Sequence, residues 1–211
     1  MPFGYTGNFP NQQVKNSGIF SPEDVLNLNA VGEYGGSLEL IETVTVSSPT
    51  SSVDFTSIQG DIYKSHFLTA TNIQTITDGA ILRIRFSNDG GSSYEASNYE
   101  MARQYQSSAG ANGTSDSTSI GYIEFGVNIG ASTNESGGGF AQFHMLNDSS
   151  YYSVVAIEST GINASGQYLN HFGGGTYKVA EKIDAIRLIM SGGNIDAGQY
   201  KLFGIKELWV V

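Results

Sequence analysis

A chain of 211 residues is long enough to bury a full core, and its 12 tyrosines and 11 phenylalanines exclude disorder throughout. Ten basic against twenty acidic residues leave a net charge of −10 and an isoelectric point near 4.6, which opposes nucleic acid and anionic membranes as partners. Without cysteine there is neither a disulfide framework nor a thiolate metal site, and no apolar run is long enough for membrane insertion as a helix.

Residues 1–20, MPFGYTGNFPNQQVKNSGIF, carry the isolated aromatics Phe3, Tyr5, Phe9 and Phe20 with no helical or strand period. They read as an extended arm whose rings gain burial only against another surface; a frayed terminus is the plainer alternative. Ser21-Pro22-Glu23-Asp24 then supplies an N-cap, a proline at the first helical position and two acids at the positive end of the dipole. One short helix carrying Leu26 and Leu28 is expected there, followed by a Gly32–Gly36 linker. The expected division is a docking and oligomerisation segment over 1–36 and a sandwich domain over 37–211. The start lacks a basic n-region and an apolar h-region, so synthesis and folding in the cytoplasm without export are expected.

From Ser37 onward short apolar runs alternate with turn signals, at 38–46, 53–55, 66–73, 80–87, 99–106, 120–129, 139–146, 152–159, 175–180, 182–190 and 200–210. Strands this short and this closely spaced predict an all-β, antiparallel β-sandwich, jelly-roll-like, and no long helical period allows parallel βαβ units. The clearest run is 80–97, AILRIRFSNDGGSSYEAS. Leu82, Ile84 and Phe86 point one way, Ile81, Arg83 and Arg85 the other, and Asn88-Asp89-Gly90-Gly91 predicts a tight hairpin with a returning strand around Tyr94. The small-residue stretches 107–119 (SSAGANGTSDSTS) and 130–139 (GASTNESGGG) predict two exposed loops, either binding loops or simple connections.

Chemistry-bearing patterns are sparse. His66 and His144 fall in predicted strands and His171 is the one expected to be exposed; no nucleophile elbow, zinc-protease helix or phosphate loop accompanies them, so no catalytic residue is assigned and no enzyme is expected. Asp78-Gly79 and Asn147-Asp148 could offer oxygens to calcium but match no calcium loop, and neither a metal nor a cofactor is expected. Tyr94, Tyr99, Tyr151 and Tyr152 flank predicted loops and are candidates for stacking on a sugar ring, with packing at sheet rims or subunit contacts the favoured alternative. Trp209 in the terminal KELWVV belongs to the core or to an oligomer contact. Ser87–Tyr94, SNDGGSSY, resembles the Asp-box hairpin of sialidases and other β-proteins, a folding feature that carries no catalytic group.

Three stretches together resemble virion structural proteins of tailed bacteriophages, marine and cyanobacterial phages in particular. They are the arm with its helix, GNFPNQQVKNSGIFSPEDVLNL, the run LRIRFSNDGGSSYEAS, and the closing IDAIRLIMSGGNIDAGQYKLFGIK, whose aromatic-Gly-Ile-Lys end spans Phe203 to Lys206. The resemblance implies a non-enzymatic structural protein of the virion, a tail-fibre or capsid-appendage (decoration) subunit assembled in the host cytoplasm. It would be docked to other virion proteins through Phe3, Tyr5, Phe9, Phe20, Leu26 and Leu28. A homo-oligomer follows from the same resemblance, with a trimer favoured. The alternative is a receptor- or carbohydrate-binding module of the adhesion apparatus, reading a host surface glycan.

Overall fold

The alternation of apolar and polar residues sets the elements, because a strand with one wet face must repeat every two residues. A computed structural model describes residues 37–206. The arm aromatics Phe3, Tyr5, Phe9 and Phe20, the helix with Leu26 and Leu28, and Trp209 lie outside the described residues. Twelve strands are described: β1 (Leu38–Val46), β2 (Ser52–Phe55), β3 (Ser65–Thr75), β4 (Ala80–Ser87), β5 (Tyr99–Ser107), β6 (Asn112–Ile120), β7 (Ile123–Ile129), β8 (Gly137–His144), β9 (Ser153–Ile162), β10 (Tyr168–Tyr177), β11 (Ala185–Met190) and β12 (Ile195–Ile205). All pair antiparallel, in an eight-stranded sheet ordered β1-β12-β3-β8-β9-β10-β5-β6 and a four-stranded sheet ordered β2-β11-β4-β7.

One hydrophobic core draws on both sheets: Phe55, Leu82, Phe86 and Leu188 come from the small sheet, and Leu68, Phe143, Tyr177 and Leu202 from the large one. Phe86 sits at its centre, with its ring centroid 5.9 Å from that of Tyr99, 6.1 Å from Phe143 and 6.2 Å from Tyr177. A phenylalanine there joins strands from both sheets, and its loss to alanine would cost about 3–5 kcal/mol.

The four strands β9-β10-β5-β6 extend the large sheet past the free edge of the small one, which ends at β7. There the sheet curls, so that β7 is covered on both faces: Phe125 and Val127 enter the core, while Gly126 lies against the Ser159 hydroxyl and accepts from Arg103 of β5. Gly173, Gly174 and Gly175 follow one another in β10, between β5 and β9. A Cβ on any of them would run into a carbonyl oxygen of β5 or β9, so only glycine lets three backbones approach so closely.

Several sequence expectations are corrected. The segment 88–98 makes no hairpin: β4 lies in the small sheet and β5 in the large one, so the Asp-box turn carries the chain across the core. The turn is held by its own side chains. The Asp89 carboxylate accepts from the Ser93 backbone N–H at 2.9 Å and from the Ser87 and Ser93 hydroxyls at 2.8 and 2.7 Å, and Gly90 and Gly91 take φ of 72° and 84°. These bonds hold the exposed Asp89 carboxyl down to a pKa of about 2.

The expected loop 107–119 contains most of β6, which pairs with β5 from Gln106↔Asn112 to Tyr99↔Ile120. Its serines and threonines are compatible with a strand wet on both faces, where backbone bonds to β5 rather than buried side chains hold it in place. Likewise 130–139 contributes Gly137–Gly139 to β8, and His171 is buried in a β10 that begins at Tyr168.

Candidate functional site

Two places stand out. The first is a polar cleft where β5 and β10 curl over β7. Arg103 reaches inward from β5, forms an ion pair with Glu124, and donates from Nη1 to the Gly126 carbonyl at 2.7 Å and to His171 Nδ1 at 2.6 Å. Arg83 of β4 approaches the same carboxylate from the other side at 3.8 Å, donates to the Tyr122 hydroxyl at 2.8 Å, and lies 3.7 Å from the centre of the Tyr122 ring. Glu124 is thus shared by two guanidiniums in a site largely closed to water, a geometry that offsets desolvation only while both partners are present.

Burial and the Arg103 charge push the His171 pKa down to about 4, so the ring is neutral at pH 7. An arginine can only donate, so Nδ1 is the acceptor and the ring proton sits on Nε2. Burial also lowers the Arg103 pKa, opposed by the Glu124 charge. Next to this network opens a cleft of about 420 Å³ lined by Tyr105, Asn128, Asn163, Gln167 and His171 among others. The Asn163 carbonyl oxygen is taken up by the backbone N–H groups of Ser165 and Gln167 at 2.9 Å each, leaving its NH2 for the cleft. The cleft can hold a small polar molecule by hydrogen bonds; it contains no nucleophile–base pair.

The second place is the outer face of the eight-stranded sheet. Strand register aligns the outward side chains in rows across it. One row runs Leu40, Phe203, Phe67, Gln142, Ala156, Gly174, and the next runs Thr43, Lys201, Thr69, Phe140, Glu158, Phe172. Leu40 is 57% exposed, Phe172 47% and Phe140 39%, and Val154 and Leu38 add to the same face. Phe67 and Phe140 stack on the surface with centroids 5.3 Å apart. A soluble domain rarely leaves so many large apolar side chains on one sheet face without something to cover them.

The tyrosine candidates separate. Tyr151 and Tyr152 are exposed in the turn before β9. Tyr94 is half-buried, and the Arg187 guanidinium lies 3.8 Å from its ring centre while forking onto Asp54 at 2.7 and 2.6 Å, so one ring face is already taken. Tyr99 is 0% exposed, and its hydroxyl accepts from the Phe86 backbone N–H; it belongs to the core and has no face to offer a ligand, because its alternation in β5 turns it inward. The oxygens considered for calcium serve the chain itself: Asp78 accepts from Ala131 N–H at 3.0 Å and Asp148 from Ser150 N–H at 2.7 Å. Among the described residues no three His, Cys, Asp or Glu side chains gather as a metal site would need.

The sequence reading missed the Arg83–Glu124–Arg103–His171 network and the outer face. The first joins residues from four strands distant in sequence and carries no local pattern. The second was partly visible: Phe140, Phe172 and Phe203 stand one residue out of phase with the buried Ala141, His171 and Leu202, a wet-face position where polar residues are the rule.

The chain matches no protein-family model, no curated protein and no solved structure.

Proposed function

We propose that this chain is a non-enzymatic structural subunit of a tailed-phage virion, a tail-fibre or head decoration protein that works by docking to other virion proteins and to copies of itself. The observation that carries the reading is the outer face of the large sheet, where Leu38, Leu40, Phe140, Val154 and Phe172 stand exposed together. Such a face suits permanent association better than catalysis. The body behind it is an elaborated jelly roll. Supporting this, β1 pairs with β12, β2 with β11, β3 with β8 and β4 with β7, the nested pairing of two Greek keys. On that reading β5-β6 and β9-β10 are two inserted hairpins that widen one sheet.

The docking arm is assigned to residues 1–36, with assembly in the host cytoplasm. Particles assembled with the full chain and with a chain lacking residues 1–34 test this role. The full chain is expected in purified particles and the truncated one in the soluble fraction. Equal incorporation of both removes the arm from the account, and absence of the full chain from particles removes the virion role itself.

The second reading, a carbohydrate-binding module of the adhesion apparatus, is favoured by the cleft beside His171 with its amide groups and Tyr105. Glycan binding abolished by Asn128→Ala or Tyr105→Ala supports it; an array with no ligand opposes it.

A further inference from the structure

The outer face is complementary to itself, and we infer that a second copy of this chain covers it. The two copies would be related by a two-fold axis parallel to the strands, above the seam between β3 and β8. This rests on the reading of the face as a docking surface and names its occupant. Such an axis preserves height along the strands and exchanges β3 with β8, β12 with β9, and β1 with β10.

Residues that share a row are thereby brought opposite one another. Lys201 of one copy faces Glu158 of the other, Phe203 faces Ala156, and Leu40 faces Gly174. A cation meets an anion, Phe203 and Leu40 meet positions with little or no side chain, and Phe67, Phe140 and Phe172 face Gln142, Thr69 and Thr43. Each pair occurs twice, as an isologous contact requires. In the row above, Ile205 faces Val154.

Within one chain Lys201 and Glu158 are three strand spacings apart, roughly 14 Å at the usual separation, too far to pair with each other. Neither makes an ion pair among the described residues. The six strands from β1 to β10, at ~4.8 Å spacing and about eight residues long, present roughly 800 Å² per copy, which is the area each partner buries in a standard-sized interface. Face-to-face sheets align within about 30° of each other, which a two-fold nearly parallel to the strands satisfies. The pair would bury the apolar side chains and leave the polar β5-β6 hairpin at the rim. A two-fold departs from the trimer expected from the resemblance, since a single self-complementary patch closes a pair and not a ring of three.

Sedimentation of the full chain over a range of concentrations tests the inference, with Lys201→Glu, Glu158→Lys and the double exchange. The wild type is expected to dimerise. Each single reversal sets like charges opposite each other and should weaken the dimer by at least ~10-fold, while the double exchange should restore it to within about threefold. Diluted until all four are monomeric, the proteins should melt alike, because neither side chain is buried in the single chain. A monomeric wild type, or an oligomer indifferent to both reversals, overturns the two-fold pairing; so does a double exchange that stays as weak as the singles. A monomeric chain that still enters particles would leave the docking face standing and remove only this occupant. A dimer that behaves as described but never enters particles would do the reverse.

Discussion

Phe86 of β4 and Tyr99 of β5 are joined twice: their rings pack 5.9 Å apart, and the Phe86 N–H donates to the Tyr99 hydroxyl at 2.8 Å. The second contact has a cause in the sheet. Pairing of β4 with β7 ends at Ile84↔Ile123, so the Phe86 N–H has no strand partner there, and a tyrosine from the opposite sheet supplies the acceptor. Burial holds that hydroxyl in its protonated form, its pKa raised above the usual value.

Tyr99→Phe therefore keeps the ring packing and strands a buried N–H. The expected loss is about 1–3 kcal/mol of stability, measured by denaturant unfolding. No change would mean that water or another group satisfies Phe86.

Glu124 between Arg103 and Arg83 makes a second prediction. Glu124→Ala leaves buried positive charge uncompensated and should cost about 3–5 kcal/mol, whereas Arg103→Met combined with Glu124→Leu should recover most of it. A double-mutant cycle from thermal melts decides. Additive losses would contradict a shared buried pair.

The pH dependence follows from His171, whose pKa falls from an ordinary 6.5 to about 4 on folding. Above pH 6.5 neither the folded nor the unfolded state carries the proton, and the stabilisation is complete. As pH falls from 6.5 to 4 the unfolded chain binds a proton that the native chain refuses, so stability is lost, by about 2 kcal/mol after allowing for partial solvent screening. Buried His66, whose Nε2 bonds the Ile58 carbonyl at 2.7 Å, is also held below its usual pKa and acts in the same direction. His171→Asn keeps an acceptor for Arg103 and should flatten the pH 4–6.5 slope. An unchanged slope would assign it to other groups.

Arg187 ties β11 to β2 by its fork on Asp54 and to the Asp-box loop by its contact with Tyr94. Both Arg187→Lys, which cannot fork, and Tyr94→Ala should cost about 1 kcal/mol, with Tyr94→Phe near neutral because the ring face remains. Equal effects of Phe and Ala at Tyr94 would show that the hydroxyl, not the ring, matters.

Strand identity was legible where one face is buried: Ala80–Ser87 alternates in sequence as it does in the structure. It was illegible where neither face is buried deeply. β6, NGTSDSTSI, has the composition of a loop and is a strand only because β5 offers it a free edge. The partner of β4 was misread for a related reason: Asn88-Asp89-Gly90-Gly91 makes a turn, but a turn does not state which sheet receives the next strand. The glycines of β10 and the Arg103–Glu124 pair depend on the curl of the large sheet, a property of eight strands together and of no single segment.

The account depends most on the outer face being covered in the working assembly. Hydroxyl-radical footprinting of the full chain, free at high dilution and in purified particles, reads this directly at Leu40, Phe140 and Phe172, with the exposed Ile62 and Ile76 as references. The account predicts strong protection of the three face residues in particles and none at the two references; equal oxidation of the face in both states would contradict it.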